Sequence, residues 1–404
     1  EIRLSLVGSE MCIRDRYMDI SKLRKENELA DLFCSLAEVP SPSLKEEKVI
    51  EWICDYCKKN ELNYALDTYK NIYINVNATD STKDPILLSS HLDVIGDDSP
   101  VIPYLEGDLI KAKNRTLGAD DKAGVANALY FAKELNKRTD LKHGGLEILF
   151  TRDEESSMTG IKNADFSKIN SKYVLVLDSD SLGQCLVSGA SYVTVDLRVS
   201  APKGGHSGND IADPERENAA KLIADIISEL PQGVYYGEKN QVITSCNIGG
   251  ICAGDVNVTN VINTEAHATY SIRSSRKDKE IELMDMMKDA VKSFNEEYEG
   301  IAKAEIEFTE KMPMFEKNED EYLPILFETA AKSIGVEPEI SSFHAGAETH
   351  VYANKTNAKG EKFSPYLIGL ATVCNMHSAR EYVDYKTMLK GQELLKAFFE
   401  AYNK

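Results

Sequence analysis

A histidine and an aspartate follow directly after an apolar run in the first quarter of the chain. His91 and Asp93 come after "PILLSS" and are separated by a single residue. Imidazole and carboxylate groups are common metal ligands, but the same residue types also occur in ordinary surface turns. The pair alone therefore leaves both interpretations open.

Further candidate ligands follow other apolar runs or lie in tight turns. Glu154 and Glu155 follow "LEILFTRD", Asp178 closes "KYVLVLD", Asp120 lies in "LGADDKAG", and His377 lies in "CNMHSAREYV". In open α/β sheets, functional groups gather outside the carboxyl ends of the strands. Carboxylates brought together there repel one another and need a partner, which one or two divalent cations would provide. The alternative is a set of solvated loop residues.

The donor types indicate which metal such a site would prefer. Imidazole and carboxylate without thiolate favour zinc, with cobalt or manganese as substitutes. The sequence therefore predicts a metal site built where several strands end.

The order of elements predicts an α/β domain that positions these residues. Residues 19–60 are predicted as two helices broken at "VPSPS", because proline and serine stop the first helix and cap the second. Apolar strands then alternate with helices, including one at 121–137, which predicts a mixed, largely parallel sheet. The alternation of apolar strands with helices resumes near Met314, and helices are predicted at 321–334 and 382–402.

A segment with a different pattern of apolar and polar residues separates the two α/β parts. "SYVTVDLRVS" alternates apolar and polar residues, as in a strand with one wet face. Helices are predicted near 214–230 and 278–298, and the order β-α-β-β-α-β predicts a small α+β, ferredoxin-like insert. We therefore predict a catalytic domain in two parts, 18–190 and 313–404, interrupted by a lid or dimerisation domain at 191–312.

Length, charge and hydropathy exclude several classes of protein. A chain of 404 residues is long enough for two domains. The net charge of −19 argues against a nucleic-acid partner, which needs a basic face. No apolar run approaches the roughly 20 residues that span a bilayer, so no membrane partner is expected. The acidic balance suits a cytoplasmic protein, and we expect that location.

The first residues and the cysteines carry no predicted chemistry. Residues 1–17 resemble translated adapter sequence or a disordered arm, and we place the natural start at Met18. The eight cysteines lack the spacing of a disulfide framework, which predicts free thiols. Cys54 and Cys57 form a C-x-x-C inside an amphipathic helical pattern, and we predict that both are helix-face residues and not a redox or zinc site.

Six ordered motifs resemble those of one enzyme family. "HLD", "GADDKAG", "DEES", "LDSD", "GGHSG" and "NMHSAREYV" are similar in order and spacing to the co-catalytic zinc metallopeptidases. That family includes peptidase T, carboxypeptidase G, aminoacylase and the aminoacyl-histidine dipeptidases. The resemblance covers the chain from Met18 to its end, and it implies two zinc ions per subunit.

The resemblance assigns a role to each candidate ligand. It implies that His91 and Asp178 hold one zinc, that Glu155 and His377 hold the other, and that Asp120 bridges both.

Asp93 and Glu154 would act beside the ligands. Asp93 would orient the ring of His91 through its second nitrogen. Glu154 would be the general base that takes a proton from water, which explains two adjacent glutamates with different tasks.

Three residues of the insert match family positions that act on the substrate. His206, in "GGHSG", would stabilise the tetrahedral oxyanion, often in the partner subunit of a homodimer. A surface histidine without a catalytic role is the alternative. Asn260 and Arg273 would contact the substrate carboxylate, because arginine can grip a carboxylate with two hydrogen bonds. An ordinary salt bridge on the strand surface is the alternative for Arg273.

The segment "FHAGAETH" departs from the peptidase T pattern, which carries an Arg-Gly-Gly-Thr-Asp type segment there. This version is closer to the histidine dipeptidases, whereas the chain length and "GADDKAG" are closer to peptidase T. His344 and Glu348 are candidate contacts of the substrate amine or carboxylate, with a helix-capping role as the alternative.

These motifs predict an exopeptidase that hydrolyses di- or tripeptides with a free amino terminus. An amidohydrolase that removes an acyl group from an amino acid would use the same metal centre. An inactive binding protein on the same fold would require a lost ligand or base, and none is lost.

Overall fold

The computed structural model describes residues 20–238 and 240–404. These residues form two compact units, each with its own hydrophobic core. Unit 1 comprises residues 20–187, Asn318–Ser341 and Ala347–Lys404, and unit 2 comprises Ser188–Lys317 and Ser342–Gly346. The predicted prefix, 1–17, lies outside the described residues, and the lid or dimerisation role of 191–312 stays a prediction.

Ten α-helices and nineteen β-strands are described in these residues. The helices are α1 (Ser21–Glu26), α2 (Glu28–Ala37), α3 (Glu47–Lys59), α4 (Ala119–Asn136), α5 (Thr159–Lys162), α6 (Ala219–Glu229), α7 (Lys277–Glu297), α8 (Tyr322–Ser333), α9 (Thr349–Tyr352) and α10 (Tyr385–Tyr402). The strands are β1 (Asn63–Leu66), β2 (Ile72–Val76), β3 (Ile86–His91), β4 (Pro103–Glu106), β5 (Leu109–Ala112), β6 (Leu146–Thr151), β7 (Tyr173–Val176), β8 (Gln184–Gly189), β9 (Tyr192–Ser200), β10 (Gly205–His206), β11 (Gly233–Glu238), β12 (Gln241–Cys252), β13 (Val261–Ile262), β14 (Glu265–Ser274), β15 (Lys303–Met312), β16 (Glu339–Phe343), β17 (Ser364–Ile368), β18 (Thr372–Cys374) and β19 (Tyr382–Asp384).

An eight-stranded sheet in the order β1-β2-β6-β3-β7-β17-β8-β16 forms the centre of unit 1. The four strands β6, β3, β7 and β17 are parallel to one another, whereas β1, β2 and β8 pair antiparallel with their neighbours. All six residues of β3 are buried, as expected of a strand covered on both faces. The fold class predicted from the sequence, α/β with a mixed sheet, is confirmed.

Helices and a second sheet cover the centre of unit 1. Helix α4 packs on β3 and α2, and α10 packs on α8 and α4. The strands β18, β19, β5 and β4 form a separate four-stranded sheet. The loop between β18 and β19 carries His377, so this small sheet positions one of the candidate ligands.

Unit 2 is built on an antiparallel sheet in the order β11-β12-β14-β9-β15. Helices α6 and α7 pack on it, and the short pair β10 and β13 lies outside it. Strand β9 alternates buried and less buried residues, as its sequence predicts. The predicted β-α-β-β-α-β order has four strands, whereas residues 191–312 contain seven, β9 to β15. The prediction lacked the short pair β10 and β13, and it gave two strands between α6 and α7 where the sheet has three, β11, β12 and β14.

Three other element predictions were wrong at their ends. The helix predicted for 214–230 begins only at Ala219, because the side chain of Asn218 accepts a hydrogen bond from Ala220 N at 3.0 Å and caps it there. The helix predicted for 382–402 begins at Tyr385, because the three preceding residues pair with β18 and β5. The first predicted helix is divided at Asn27, whose side chain caps α2.

Candidate metal centre and active site

Three neighbouring parallel strands bring most of the candidate ligands to one edge of the central sheet. Strands β6, β3 and β7 are adjacent and parallel, so their carboxyl ends point the same way. His91 ends β3, Asp178 lies two residues after β7, and the two adjacent glutamates, Glu154 and Glu155, follow β6. Asp120 comes from the start of α4.

Asp120 lies between two imidazoles. Its Oδ1 atom is 3.1 Å from His91 Nε2, and its Oδ2 atom is 3.2 Å from His377 Nε2. On one side His91 Nε2 lies 3.6 Å from Asp178 Oδ1, and on the other His377 Nε2 lies 3.0 Å from Glu155 Oε1. The structure therefore brings the five candidate ligands together as two pairs that share Asp120.

These donor atoms fit divalent metal ions. In a tetrahedral zinc site with ligand distances of about 2.0–2.1 Å, neighbouring donor atoms lie roughly 3.3 Å apart. One atom each from His91, Asp120 and Glu155 lies within 4.8 Å of the others. Glu155 Oε1 is near His377 Nε2 but accepts no hydrogen bond of good geometry from the described residues, and no Lys or Arg among them forms an ion pair with Asp120, Glu155 or Asp178. A cation would supply the missing partner.

Asp93 makes more contacts in the site than its predicted role, orienting the ring of His91, requires. His91 Nδ1 lies 3.0 Å from the main-chain oxygen of Asp93 and 3.4 Å from its carboxylate. The carboxylate also accepts hydrogen bonds from Glu154 N at 2.9 Å, Glu155 N at 3.1 Å and Ser43 Oγ at 2.7 Å. Burial raises the pKa of Asp93, but the hydrogen bond and charge of His91, followed by the hydrogen bonds from Ser43 Oγ and Glu154 N, keep it below its usual range. Asp93 thus fixes both the ring of His91 and the loop that carries the two glutamates.

The two adjacent glutamates have different surroundings. Glu155 faces His377, whereas the carboxylate of Glu154 makes no hydrogen bond or ion pair with any described residue. Burial raises the pKa of Glu154 to about 9; His91 opposes the rise, whereas Asp178 adds to it. The pKa of Glu155 rises to about 7, again because of burial first and then the charge of Asp120. Glu155 therefore faces another candidate ligand, whereas the carboxylate of Glu154 has no partner among the described residues.

A buried glutamate to which the sequence analysis assigns no role, Glu381, supports this centre. Both oxygens of Glu381 accept hydrogen bonds from main-chain N–H groups at the start of α4, including Asp120 N at 3.2 Å. The one signal in the sequence is the place of Glu381 in "NMHSAREYV", the motif that also carries His377. Nothing in that motif shows that the carboxylate binds N–H groups of a distant turn.

His206 and Asn260 lie in unit 2, where both are exposed. His206 Nδ1 accepts a hydrogen bond from Gly208 N at 3.1 Å, and the main-chain N–H of His206 donates to Asp210 Oδ2 at 2.8 Å. A neutral ring whose Nδ1 accepts must carry its proton on Nε2. Asn260 lies close by, because its main-chain oxygen accepts a hydrogen bond from Ser207 N at 3.0 Å.

Arg273 and His344 form a second group in unit 2. The guanidinium of Arg273 lies over the ring of Tyr192, 4.6 Å from its centroid, and makes no ion pair with a described residue. The alternative of a strand-surface salt bridge is therefore wrong. His344 Nε2 is 2.6 Å from Ser245 Oγ, and burial together with the charge of Arg273 lowers the pKa of His344.

Glu348 is buried in unit 1 with an exposed fraction of 1%. Its Oε2 atom accepts a hydrogen bond from Ser89 Oγ at 3.3 Å, while Oε1 accepts none from the described residues. Burial raises the pKa of Glu348 to about 7. The side chain does not cap α9, so the capping alternative is wrong for Glu348.

The seven cysteines within the described residues are free. Cys54 and Cys57 are both buried in α3, and burial raises the pKa of the Cys57 thiol to about 12. The predicted packing of the pair in a helix is confirmed, and the predicted lack of a redox or zinc role stays a prediction. No helix of residues 20–238 or 240–404 combines the length and the apolar character needed to cross a bilayer.

The model of peptidase family M20/M25/M40 matches residues 87–401 of this chain. The chain belongs to this family. The predicted family and the predicted class of enzyme, a hydrolase of peptide bonds, are confirmed.

Two relatives span nearly the whole chain. An uncharacterized protein of Bacillus subtilis, YqjE, is 27% identical over 93% of this chain and 98% of its own length. Peptidase T of Listeria welshimeri is 25% identical over 89% of this chain and 83% of its own length.

Solved structures share the fold. The aminopeptidase PepT of Bacillus cereus superposes with a TM-score of 0.81 at 24% identity, covering 93% of this chain and 98% of that one. A dinuclear metal-binding peptidase of the M20 family from Bacillus subtilis gives a TM-score of 0.68 at 14% identity, covering 93% and 97%. At these identities the likeness shows the fold alone.

Proposed function

We propose that this chain is a di-zinc exopeptidase that hydrolyses di- or tripeptides with a free amino terminus. The observation that carries the proposal is the placement of Asp120 between two ligand pairs, beside the unpaired carboxylate of Glu154. Family membership and the name of the relative peptidase T support this activity. Cobalt or manganese would serve as substitutes for zinc.

In this proposal His91 and Asp178 hold one metal ion, Glu155 and His377 hold the other, and Asp120 is shared. When bound, the two ions would supply Lewis acidity that lowers the pKa of water and polarises the scissile carbonyl.

The chain's own residues perform the proton transfers and the charge stabilisation. Glu154 takes the proton of the attacking water and passes it to the leaving amine, because no other partner occupies its carboxylate. His206 donates a hydrogen bond from Nε2–H to the oxyanion. Its ring is suited to this task because Nδ1 accepts a hydrogen bond and the proton is therefore on Nε2. Asp93 keeps both His91 and Glu154 in place through its hydrogen bonds.

Both ends of the peptide have candidate partners. Arg273, which lacks an ion pair among the described residues, would bind the substrate carboxylate with Asn260 and His344. Glu348 would attract the substrate ammonium, since its Oε1 atom has an unused acceptor position. A charged contact of this kind rejects substrates that lack the amine.

We further propose a cytoplasmic homodimer in which His206 acts in the partner's site. The free thiols of the described cysteines suit a reducing compartment.

Amidohydrolase activity on N-acyl amino acids is the alternative with the same metal centre, and an inactive binding protein is a third. A comparison of kcat/KM for an unblocked tripeptide and its N-acetyl form, with the zinc-loaded protein, separates them. We expect the unblocked peptide to be preferred at least tenfold, because only its ammonium can pair with a buried carboxylate.

The variant Glu348→Gln should narrow that preference, while Glu339→Gln, an exposed carboxylate change, should leave it intact. Equal or faster turnover of the N-acetyl peptide identifies an amidohydrolase. Binding without turnover of either substrate, at full zinc content, identifies a binding protein.

A further inference from the structure

Glu381 is a buried carboxylate that the proposed proton transfers and metal ligation do not use. Its exposed fraction is 1%. Oε2 accepts a hydrogen bond from Gly118 N at 2.8 Å and from the hydroxyl of Thr116, and Oε1 accepts from Ala119 N at 2.8 Å and Asp120 N at 3.2 Å. A single side chain therefore binds the whole turn that presents Asp120.

The turn that Glu381 binds precedes the regular part of α4. Asp120, with φ −81° and ψ 107°, and Asp121 are not helical, and the side chain of Asp121 accepts a hydrogen bond from Gly124 N at 3.0 Å, as a helix cap does. The three main-chain N–H groups that Glu381 binds lie before that cap, where buried N–H groups need an acceptor from elsewhere. Glu381 supplies this acceptor from a position 261 residues away from Asp120.

The other end of Glu381 is tied to the loop that carries His377. Glu381 N donates to Ser378 O at 3.1 Å, and Ser378 Oγ donates to Asn375 O at 2.7 Å, so the turn is closed on itself. The chain then enters β19, which pairs with β18 and β5. Glu381 is thus a rigid link between this turn and the start of α4.

We propose that Glu381 is a positioning residue that sets the distance between Asp120 and His377. Those two side chains come from distant parts of the sequence, yet Asp120 Oδ2 and His377 Nε2 lie 3.2 Å apart. The link through Glu381 holds them at a separation suited to one shared metal ion. The inference rests on the proposed function, in which Asp120 and His377 are both ligands.

The variant Glu381→Gln tests this link in the full chain. The amide keeps the size of the side chain but turns one of two acceptors into a donor that faces N–H groups. We expect zinc affinity, measured by competition with a chelating indicator, to fall about 10–100-fold, as for other residues that hold metal ligands in place. Turnover should fall at limiting free zinc and recover as zinc is raised, while KM for the peptide at saturating zinc stays near the original value.

The variant Glu147→Gln is the matched control. Glu147 is also buried, with 7% exposure, and it accepts hydrogen bonds from Asn170 N at 3.0 Å, Ser171 N at 2.9 Å and Ser171 Oγ at 2.6 Å. It lies near the start of β6, at the opposite end of that strand from Glu154. This variant should lower the melting temperature without changing zinc affinity.

Unchanged zinc affinity in folded Glu381→Gln would overturn the inference, as would an equal loss of affinity in Glu147→Gln. Asp120→Ala separates this failure from that of the proposed function. If Asp120→Ala loses zinc while Glu381→Gln does not, only the positioning role is wrong. If Asp120→Ala keeps two zinc ions per chain, the ligand assignment itself is wrong.

If Glu381→Gln does not fold, the zinc affinity of Thr116→Val is compared with that of the original chain instead. This substitution removes one donor to Glu381 and leaves the carboxylate in place. A loss of zinc affinity of a few-fold supports the inference, and unchanged affinity contradicts it.

Discussion

At the scale of single residues, the site depends on one shared carboxylate and two adjacent ones with different neighbours. Asp120 contacts both imidazoles, through a different oxygen for each. Glu155 faces His377, and Glu154 is unpaired among the described residues. Two adjacent residues of one loop thus have different surroundings, as the proposed division into a metal ligand and a base requires.

Substitution within the glutamate pair tests this division. Glu154→Gln should keep the zinc content near two per chain and lower kcat by about 10²–10⁴, the usual cost of removing a general base. Glu155→Gln should lower zinc affinity first, with turnover partly restored at high zinc. Elemental analysis and steady-state rates on the same samples measure both effects. A reversal of the two phenotypes would show that ligand and base are assigned the wrong way round.

The candidate ligands, which remain a proposal, could be selected from the sequence because each residue follows an apolar run or lies within a recognisable motif. Glu381 also lies within a motif, but its contacts could not be predicted, because the N–H groups it binds lie more than 260 residues away along the chain. The additional contacts of Asp93 with Glu154 N and Glu155 N were also beyond prediction. Hydrogen bonds between distant loops leave no periodic signal in the sequence.

At the scale of elements, the site depends on strand ends and on the helices that cover them. Strands β3, β6 and β7 were predictable because buried parallel strands are continuous apolar runs. Short elements were less predictable. The three residues of β19 precede α10 directly, and their sequence was compatible with the start of that helix. These residues form a strand because they pair with β5 and β18. The pairing with β5 joins distant parts of the chain, so the local sequence does not show it.

Close packing of α10 gives a prediction about one glycine. A Cβ built on Gly391 would overlap the main-chain carbonyl of Leu370, in the segment that follows β17. Gly391→Ala should therefore destabilise the protein by about 1–3 kcal/mol, as overpacking does. Helix propensity alone predicts the opposite sign, a gain of about 1 kcal/mol. Urea unfolding measures the difference.

The exposed change Lys396→Ala, in the same helix, serves as the control and should alter stability by less than about 0.5 kcal/mol. Increased stability in Gly391→Ala would show that the segment around Leu370 moves aside without cost.

At the scale of the whole molecule, the candidate groups are divided between two units. The five proposed ligands, Asp93, Glu154 and Glu348 belong to unit 1, whereas His206, Asn260, Arg273 and His344 belong to unit 2. The change from continuous apolar runs to alternating strands predicts an insert at 191–312, and unit 2 comprises Ser188–Lys317 and Ser342–Gly346. The number of strands in this segment could not be predicted, because the β11–β12 hairpin has the same alternation of apolar and polar residues as the neighbouring strands.

The proposed homodimer predicts complementation between two inactive variants. Mixed subunits of His206→Ala and Glu154→Gln should regain about a quarter of the original activity after exchange, because half of the dimers are mixed and each holds one intact site. Subunit exchange is verified with differently tagged chains, and sedimentation gives the oligomeric state. No rescue after verified exchange, or a fully active monomer, would contradict the shared site.

Metal removal tests the central claim, a metal-dependent peptidase, most directly. The protein is dialysed against a chelator until elemental analysis finds no residual metal, and hydrolysis of an unblocked tripeptide is measured before and after zinc is returned. Water at neutral pH is a poor nucleophile without a Lewis acid, so the stripped protein should lose its activity. Activity should return as the zinc content approaches two ions per chain. Full hydrolysis by the metal-free protein would contradict the account.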